Sequence, residues 1–482
     1  MTRIPITLGL LPSRRVAHTA WTERMRTESL ALLAGLPGAR VVAPAVAEGD
    51  APDPTTGATP HGTVRTLDEA ETVAALFRRE GVDALVICPL DFGDERSAVK
   101  VAECLGVPTL LYATAEPPAR DDASLARVSD SYCGTLSIAA GLTRRRLPFR
   151  FAGIHLPTDA PLAAEAETFL RAVGAVKALR GARIGQVGVR PAAFESVAYD
   201  EVSMACTFGQ NVVPANLADV VDAAQSLADD APEVLARVAE IRAGVAEVTV
   251  SDAHLVRAAK VELALEGFFR RERLSAMAAQ CWPSVQRMMG VSLCAVYGRL
   301  TGRHLLTACE VDVVGALSML ANYGAALGEA LPHFIDWTIQ HREDPNLLLA
   351  WHCGNAPTCL AADPSRTALR SRRDMRGELP VPEEDPQAGL YQFQIKPGPV
   401  TLCRMAEYDG EWKMLVARGD IVPSEETLAG TWSWVRVADH ARLYRTLVEE
   451  GFIHHASLIH GDQVAALTEA CRFLGVRSVV VE

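Results

Sequence analysis

The stretch Ala308-Cys-Glu-Val-Asp-Val-Val-Gly-Ala-Leu-Ser-Met319 decides how this chain is read. A mostly apolar run, Leu305 to Ala308, delivers a carboxylate, Glu310, directly ahead of a segment with helical character. In an open α/β sheet, ligands bind beyond the carboxyl ends of the strands. A carboxylate at such a junction is a stronger candidate for chemistry than one on a solvated helix face. Asp312 reads instead as a cap for the following helix, where an acidic side chain is favoured by the amino-terminal dipole.

Other acid and imidazole groups occupy comparable positions. Asp336 interrupts the short apolar strand His333-Phe-Ile-Asp-Trp337. An acid there must be paired, hydrogen-bonded or metal-bound, because a lone buried charge is costly. A metal ligand and a satisfied structural aspartate both fit. His352 closes the apolar run Leu347 to Trp351, and Gly354 and Pro357 favour a turn right after it. It suits a ligand or substrate contact, and equally a buried histidine bonded to backbone. His454 and His455 follow Phe452-Ile453, with His460 further on. Side chains alternate along a strand, so only one of His454 and His455 is expected to face a given site. His460, just before Gly461-Asp462, suits a substrate contact or a loop cap. Oxygen and imidazole donors of this kind favour a divalent ion such as Mn2+ over a thiophilic one. Ser13-Arg14-Arg15, after the first strand, reads as a solvated loop or as a contact for an anionic or polyol substrate.

The first third of the chain alternates strands and helices. Strands are predicted over Pro5–Leu11, Val82–Cys88 and Val107–Tyr112. Helices are predicted over Asp68–Glu80 and over Ser97–Leu105, the latter stopped by Gly106. This rhythm implies a parallel sheet with helices on its faces. No G-x-G-x-x-G follows these strands, so a dinucleotide fingerprint is absent. A second α/β unit begins at Gly181–Gly188, whose glycines indicate a tight turn and only weakly a phosphate loop. It continues through helices predicted over Ala231–Glu247 and His254–Ala279. Asp363 to Pro386 is charged and proline-rich, a surface loop. Tyr391–Ile395, Val400–Arg404 and Lys413–Ala417 indicate a small antiparallel sheet or barrel. Asp462 is a candidate N-cap for a helix through Leu474, stopped by Gly475, and the valines from Val479 form a last strand.

A chain of 482 residues exceeds one ordinary core, so two or three domains are expected. A net charge of -12 argues against nucleic-acid or anionic-membrane partners, which are bound through basic surface. The N-terminal segment lacks a signal pattern, and no uncharged apolar stretch is long enough to span a bilayer. A cytoplasmic protein is therefore expected. The 11 cysteines form no C-x-x-C zinc pairs, and the closest two, Cys353 and Cys359, have five residues between them. Free thiols in a reducing compartment are expected.

Cys309–Met319, Phe334-Ile-Asp336, Trp351-His-Cys-Gly-Asn-Ala-Pro357, Lys396-Pro-Gly-Pro-Val-Thr-Leu402 and Ile453-His-His-Ala-Ser457 occur in this order. The ordered set resembles the L-fucose/L-arabinose isomerase superfamily. Asp130–Gly134 and Cys281-Trp-Pro283 also look like family segments, so the resemblance covers most of the chain. It implies an α/β protein of two Rossmann-like or flavodoxin-like parallel-sheet domains and a C-terminal domain with an antiparallel β-barrel. The corresponding boundaries are 1–175, 176–350 carrying Glu310 and Asp336, and 351–482 carrying His455. The implied metal ligands are Glu310, Asp336 and His455, holding Mn2+ or another divalent ion such as Mg2+ or Co2+. Asp336 matches the fucose branch, whereas His352 corresponds to a metal-ligating histidine of the arabinose branch. The chain thus mixes branch features, and the sugar is not fixed. His352, Asn355, His454, His460 and Arg14 are candidate substrate contacts. The implied activity is aldose–ketose isomerisation of an open-chain sugar through a cis-enediol, with Glu310 and Asp336 as catalytic carboxylates. The implied assembly is a homo-oligomer, hexameric or trimer-based, with active sites between subunits. Alternatives are a catalytically silent sugar-binding relative, or a metal-dependent epimerase or aldolase using the same enediol chemistry.

Overall fold

Apolar runs bounded by turn residues set the strands of both halves. A computed structural model describes residues 4–116, 127–378, 382 and 385–482. The chain divides into two units, Met1–Lys177 and Ala178–Glu482. The acidic, proline-rich part of the expected Asp363–Pro386 loop falls partly outside the described residues.

In the first unit, β1 (Ile6–Ser13), β2 (Ala39–Val42), β3 (Ala84–Pro89), β4 (Thr109–Thr114) and β5 (Phe149–His155) form a sheet ordered β2-β1-β3-β4-β5. All its pairings are parallel. Every residue of β3 and β4 is buried, as parallel strands covered on both faces require. Their side chains pack with Val73, Phe77, Val99 and Ile138 in one core. The helix Leu67–Arg79 is launched by Thr66 and Glu69 in a reciprocal capping box, so Asp68 lies inside its first turn. The helix Glu95–Leu105 stops at Gly106, whose φ of +63° suits glycine.

The order reverses between β1 and β3, where doubly wound sheets form a crevice. There the Asp91 carboxylate accepts the backbone N–H groups of Arg15, Val16 and Gly93. Arg14 is only 4% exposed, which corrects the solvated-loop expectation for this residue. Its Nε donates to Thr63 Oγ1 and its Nη1 to the Val16 carbonyl, so its burial is compensated by hydrogen bonds.

The second unit contains β6 (Arg183–Val187), β7 (Asn211–Ala215), β8 (Glu247–Val248), β9 (Ala276–Ala279) and β10 (Thr307–Ala308). Four of these make a parallel sheet ordered β10-β9-β6-β7. Two helix expectations are corrected here. The first helix spans Pro232–Ala243 and ends at Gly244, and β8 then pairs with Ala368 and Leu369. The second spans Asp252–Arg271, and the last four residues of the expected helix, Ala276–Ala279, form β9, a fully buried strand between β6 and β10. Sheet context overrides the helical preference of Ala-Met-Ala-Ala.

The remaining strands are β11 (His333–Gln340), β12 (Leu347–His352), β13 (Ala368–Ser371), β14 (Ala388–Gln394), β15 (Gly398–Tyr408), β16 (Glu411–Val422), β17 (Thr431–Arg436), β18 (His455–His460) and β19 (Arg477–Val481). With β8 they form a large mixed sheet ordered β19-β16-β15-β18-β11-β12-β17-β14-β13-β8. A further antiparallel pairing joins β16 to β17, with Asp420 opposite Arg436. The helix Val313–Ala325 packs on β15 and β18 and is buried at every position but Tyr323. An almost uniformly apolar helix is stable only in such a place. The helix Val464–Leu474 stops at Gly475 as expected, while its N-cap is Gln463, one residue past Asp462.

Candidate functional site

Glu310 lies in the turn between β10 and the helix Val313–Ala325. Glu310 and Val311 both have left-handed backbone, with φ of +57° and +59°. Such conformations are disfavoured for side chains, above all for β-branched valine, at about 1–3 kcal/mol each. Strain of this kind clusters at functional sites. The turn leaves Glu310 only 7% exposed.

Asp312 caps the helix as its position predicts, Oδ1 accepting the Gly315 N–H at 2.7 Å. The same carboxylate has two further partners. Arg404 donates Nη1 to Oδ2 at 2.5 Å and Nη2 to Oδ1 at 3.2 Å. His455 Nδ1 lies 2.9 Å from Oδ2. Glycine is required at 315, since a Cβ there would lie 2.6 Å from both Asp312 Oδ2 and the Phe334 ring.

The β11–β18 pairing sets Asp336 directly opposite His455. His455 Nε2 is 3.1 Å from Glu310 Oε2 and 3.6 Å from Asp336 Oδ1. His352 Nε2 approaches Glu310 Oε2 to 3.8 Å. Trp282 Nε1 donates to the other Glu310 oxygen, Oε1, at 3.2 Å. Glu310 Oε2 and Asp336 Oδ1 are buried and meet no donor in hydrogen-bond geometry. Buried oxygens left this way are costly unless something else satisfies them.

Charge is finely divided among these groups. Burial pulls His455 down, but contact with Asp312 and Glu310 outweighs it and raises the imidazole to about 9. Burial pushes Glu310 up, yet contact with His352 and His455 holds it well below the usual carboxylate range. Asp336 is raised by burial, against the pull of His352 and His455. Asp312 is held low despite burial by Arg404 and His455.

Two buried carboxylate oxygens and one imidazole nitrogen therefore converge. His455 Nδ1 is committed to Asp312, which leaves Nε2 facing the carboxylates. Carboxylates orient metal-ligating histidines in this way. The set fits a divalent ion that takes oxygen and nitrogen ligands, and the two unsatisfied oxygens are what such an ion would satisfy.

The other expected residues divide. His454 precedes β18, so strand alternation does not govern it, and it shares the site with His455. The ligand atoms of Asp336, His454 and His455 all lie within 4.8 Å of one another. His352 is buried against Glu310. Asn355 is buried beside His333. His460 takes the loop-cap option, its Nε2 on the Lys396 carbonyl at 2.9 Å. It sits at the far end of β18 from His455, roughly 17 Å along a strand. Arg14 belongs to the first unit.

Several neighbours of the site escape the sequence reading. Phe194 lies 5.2 Å from the His454 ring, and Phe334 lies 4.7 Å from the His455 ring. Nothing marks Phe194 in sequence, and Phe334 stands in the segment Phe334-Ile-Asp336 with no sign of its contact to His455. Arg404 carried a signal, a lone charge in the apolar strand Val400 to Met405, which must be paired when buried. A cavity of about 340 Å³ opens on Glu310, with Trp282, Cys281, Cys294, Cys353 and Arg372 among its walls. Contact with Cys294 and burial push the Cys353 thiol up.

Two family models match the chain. "Fucose/sulfoquinovose isomerase, N-terminal domain" covers residues 46–180, and "L-fucose isomerase, C-terminal domain" covers residues 350–481. A sulfoquinovose isomerase from Alkalicoccus urumqiensis is 27% identical over 83% of this chain and 86% of its own. One from Priestia aryabhattai is 24% identical over 87% and 90%, respectively. One from Clostridium sp. (strain MSTE9) is 25% identical over 88% and 91%. Among solved structures, a solute-binding protein from Actinobacillus succinogenes 130z with bound D-allose aligns at a TM-score of 0.17 and 8% identity, covering 67% of this chain and 92% of that one. That likeness is too weak to bear on the fold. The two domain matches and the curated relatives, which run along most of the sequence, agree: the chain belongs to the L-fucose isomerase-like family.

Proposed function

We propose that the protein is an aldose–ketose isomerase whose substrate is sulfoquinovose, a hexose carrying a sulfonate on C6, as the names of its relatives indicate for them. The observation that carries the isomerase reading is the convergence of Asp336 and His455 on Glu310, which lines a sugar-sized cavity.

Glu310, Asp336 and His455 would hold a divalent ion, Mn2+ by preference, with Mg2+ or Co2+ as substitutes. Such an ion supplies Lewis-acid polarisation of a sugar carbonyl and stabilises negative charge developing on its oxygen. The chain's own residues supply the rest. A carboxylate oxygen of Glu310 or Asp336 takes the C2 proton of the open-chain aldose and returns it to C1 through a cis-enediol, while the other carboxylate or a water carries the O2 hydroxyl proton to O1. Asp312, fixed by Arg404, holds His455 in the tautomer that presents Nε2. Phe194, Phe334 and Trp282 restrict water around the carboxylates. His352, Asn355 and His454 would contact the sugar hydroxyls.

The β16–β17 pairing supports reading β16-β15-β18-β11-β12-β17 as a closed antiparallel barrel. We also propose the domain limits 1–175, 176–350 and 351–482, a hexameric or trimer-based homo-oligomer, and a cytoplasmic location. Glu310→Gln tests the site. It should lower kcat by about 1000-fold, as loss of a proton-transfer group does, in a protein with an unchanged circular dichroism spectrum. Wild-type turnover in that variant contradicts the assignment.

A further inference from the structure

Arg372 follows β13, where its backbone N–H bonds to the Gln387 carbonyl at 3.1 Å and ties the turn to the approach of β14. Its half-buried side chain lines the same cavity as Glu310. The guanidinium donates through Nη2 to Cys353 Sγ at 2.6 Å. Among the described residues it has no carboxylate partner.

The neighbouring arginines differ in this respect. Arg370 pairs with Glu247 at 2.7 Å and with Asp374 at 3.0 Å. Arg373 pairs with Glu378 at 3.4 Å. In a chain of net charge -12, acids are plentiful, yet among the described residues none pairs with the one arginine of this group that lines the cavity. A partly desolvated cation is costly without a counter-charge, and a ligand anion would supply it. Guanidinium presents five N–H donors in a planar fork, of which the Cys353 thiol takes one. The remaining donors match the oxygens of a tetrahedral anion. The net negative charge repels an anionic substrate at long range, so recognition has to come from a local cation.

We propose that Arg372 binds the sulfonate at the C6 end of the substrate while C1 and C2 lie at Glu310 and Asp336, which makes it a specificity-determining residue. This rests on the sulfoquinovose reading given above.

The test compares wild type, Arg372→Gln and Arg372→Lys on sulfoquinovose, glucose 6-phosphate and 6-deoxyglucose, with the divalent ion present throughout. Arg372→Gln should raise KM for sulfoquinovose about 30-fold, the scale of a lost charge-assisted contact, with kcat changed less than threefold. The ratio of kcat/KM for sulfoquinovose over 6-deoxyglucose should fall by a similar factor. Arg372→Lys should recover part of it, since the charge is kept and the fork is lost. Methanesulfonate should compete with sulfoquinovose in the wild type and lose at least tenfold in potency in Arg372→Gln, a readout that a merely structural role would not move. A parallel loss on the phosphate ester assigns the site to tetrahedral anions generally, and a loss confined to sulfoquinovose assigns it to the sulfonate. Equal losses on charged and neutral sugars, or an unchanged KM for sulfoquinovose, overturn the proposal. A wild type that converts neutral aldoses but not sulfoquinovose overturns the substrate reading and Arg372 with it. A wild type that converts sulfoquinovose while Arg372→Gln matches it overturns Arg372 alone.

Discussion

His455 acts through what holds it. Its Nδ1 rests on Asp312, and Asp312 is gripped by Arg404 and by the amino end of a helix. Asp312→Asn keeps the cap acceptor but removes the charge that fixes the imidazole. Mn2+ affinity is expected to fall about 10–100-fold, as for other lost orienting partners of metal ligands. Titration calorimetry on ion-stripped protein measures this, and an unchanged affinity contradicts the orienting role. Asp312 also shows what was legible at this scale. Its capping role follows from local spacing, because the bond to Gly315 spans three residues. Its second role depends on Arg404 and His455, which are 92 and 143 residues downstream and enter only once β15 and β18 pair. Glu310 was readable from its strand-to-helix junction. Asp336 and His455 were each ambiguous alone and needed the resemblance to be joined to it.

Among the elements, β11 carries both a candidate ligand and a buried histidine at its start. His333 is fully buried, its Nε2 3.1 Å from Thr431 Oγ1. Burial, helped by the charge of His352, pulls its imidazole down to about 3. The unfolded chain takes up this proton below roughly pH 6.5 while the folded protein does not. Stability is therefore unaffected by this group above pH 6.5 and falls as pH drops toward 3, by up to about 1.4 kcal/mol per pH unit. His333→Gln should flatten the decline of melting temperature between pH 6.5 and 4.5. A variant with the wild-type slope contradicts the assignment. Elements with strong punctuation, such as the helix ending at Gly106 or the strand Ala84–Pro89, were legible because the deciding signals are local. β9 was not, because Ala276–Ala279 extends a helical pattern and becomes a strand only by insertion between β6 and β10. His454 escaped the alternation rule for a similar reason, since β18 begins one residue after it.

At the scale of the whole molecule, the first third was read as a parallel α/β sheet and is one. The later part was read as small antiparallel pieces, and these join strands from before and after them into one mixed sheet. Sequence order hides this, because β11 and β12 pair with β18 and β17 across roughly a hundred residues. No described helix is long and apolar enough to cross a membrane. The proposed activity is ion-dependent isomerisation of a sulfosugar at Glu310, Asp336 and His455. The most direct measurement incubates EDTA-stripped full-length protein with sulfoquinovose, with and without Mn2+, and follows ketose formation by NMR. The expected result is no conversion in the stripped protein and turnover restored when Mn2+ is added back. Mn2+-loaded protein that leaves sulfoquinovose unchanged, or stripped protein that converts it at the full rate, would contradict the account.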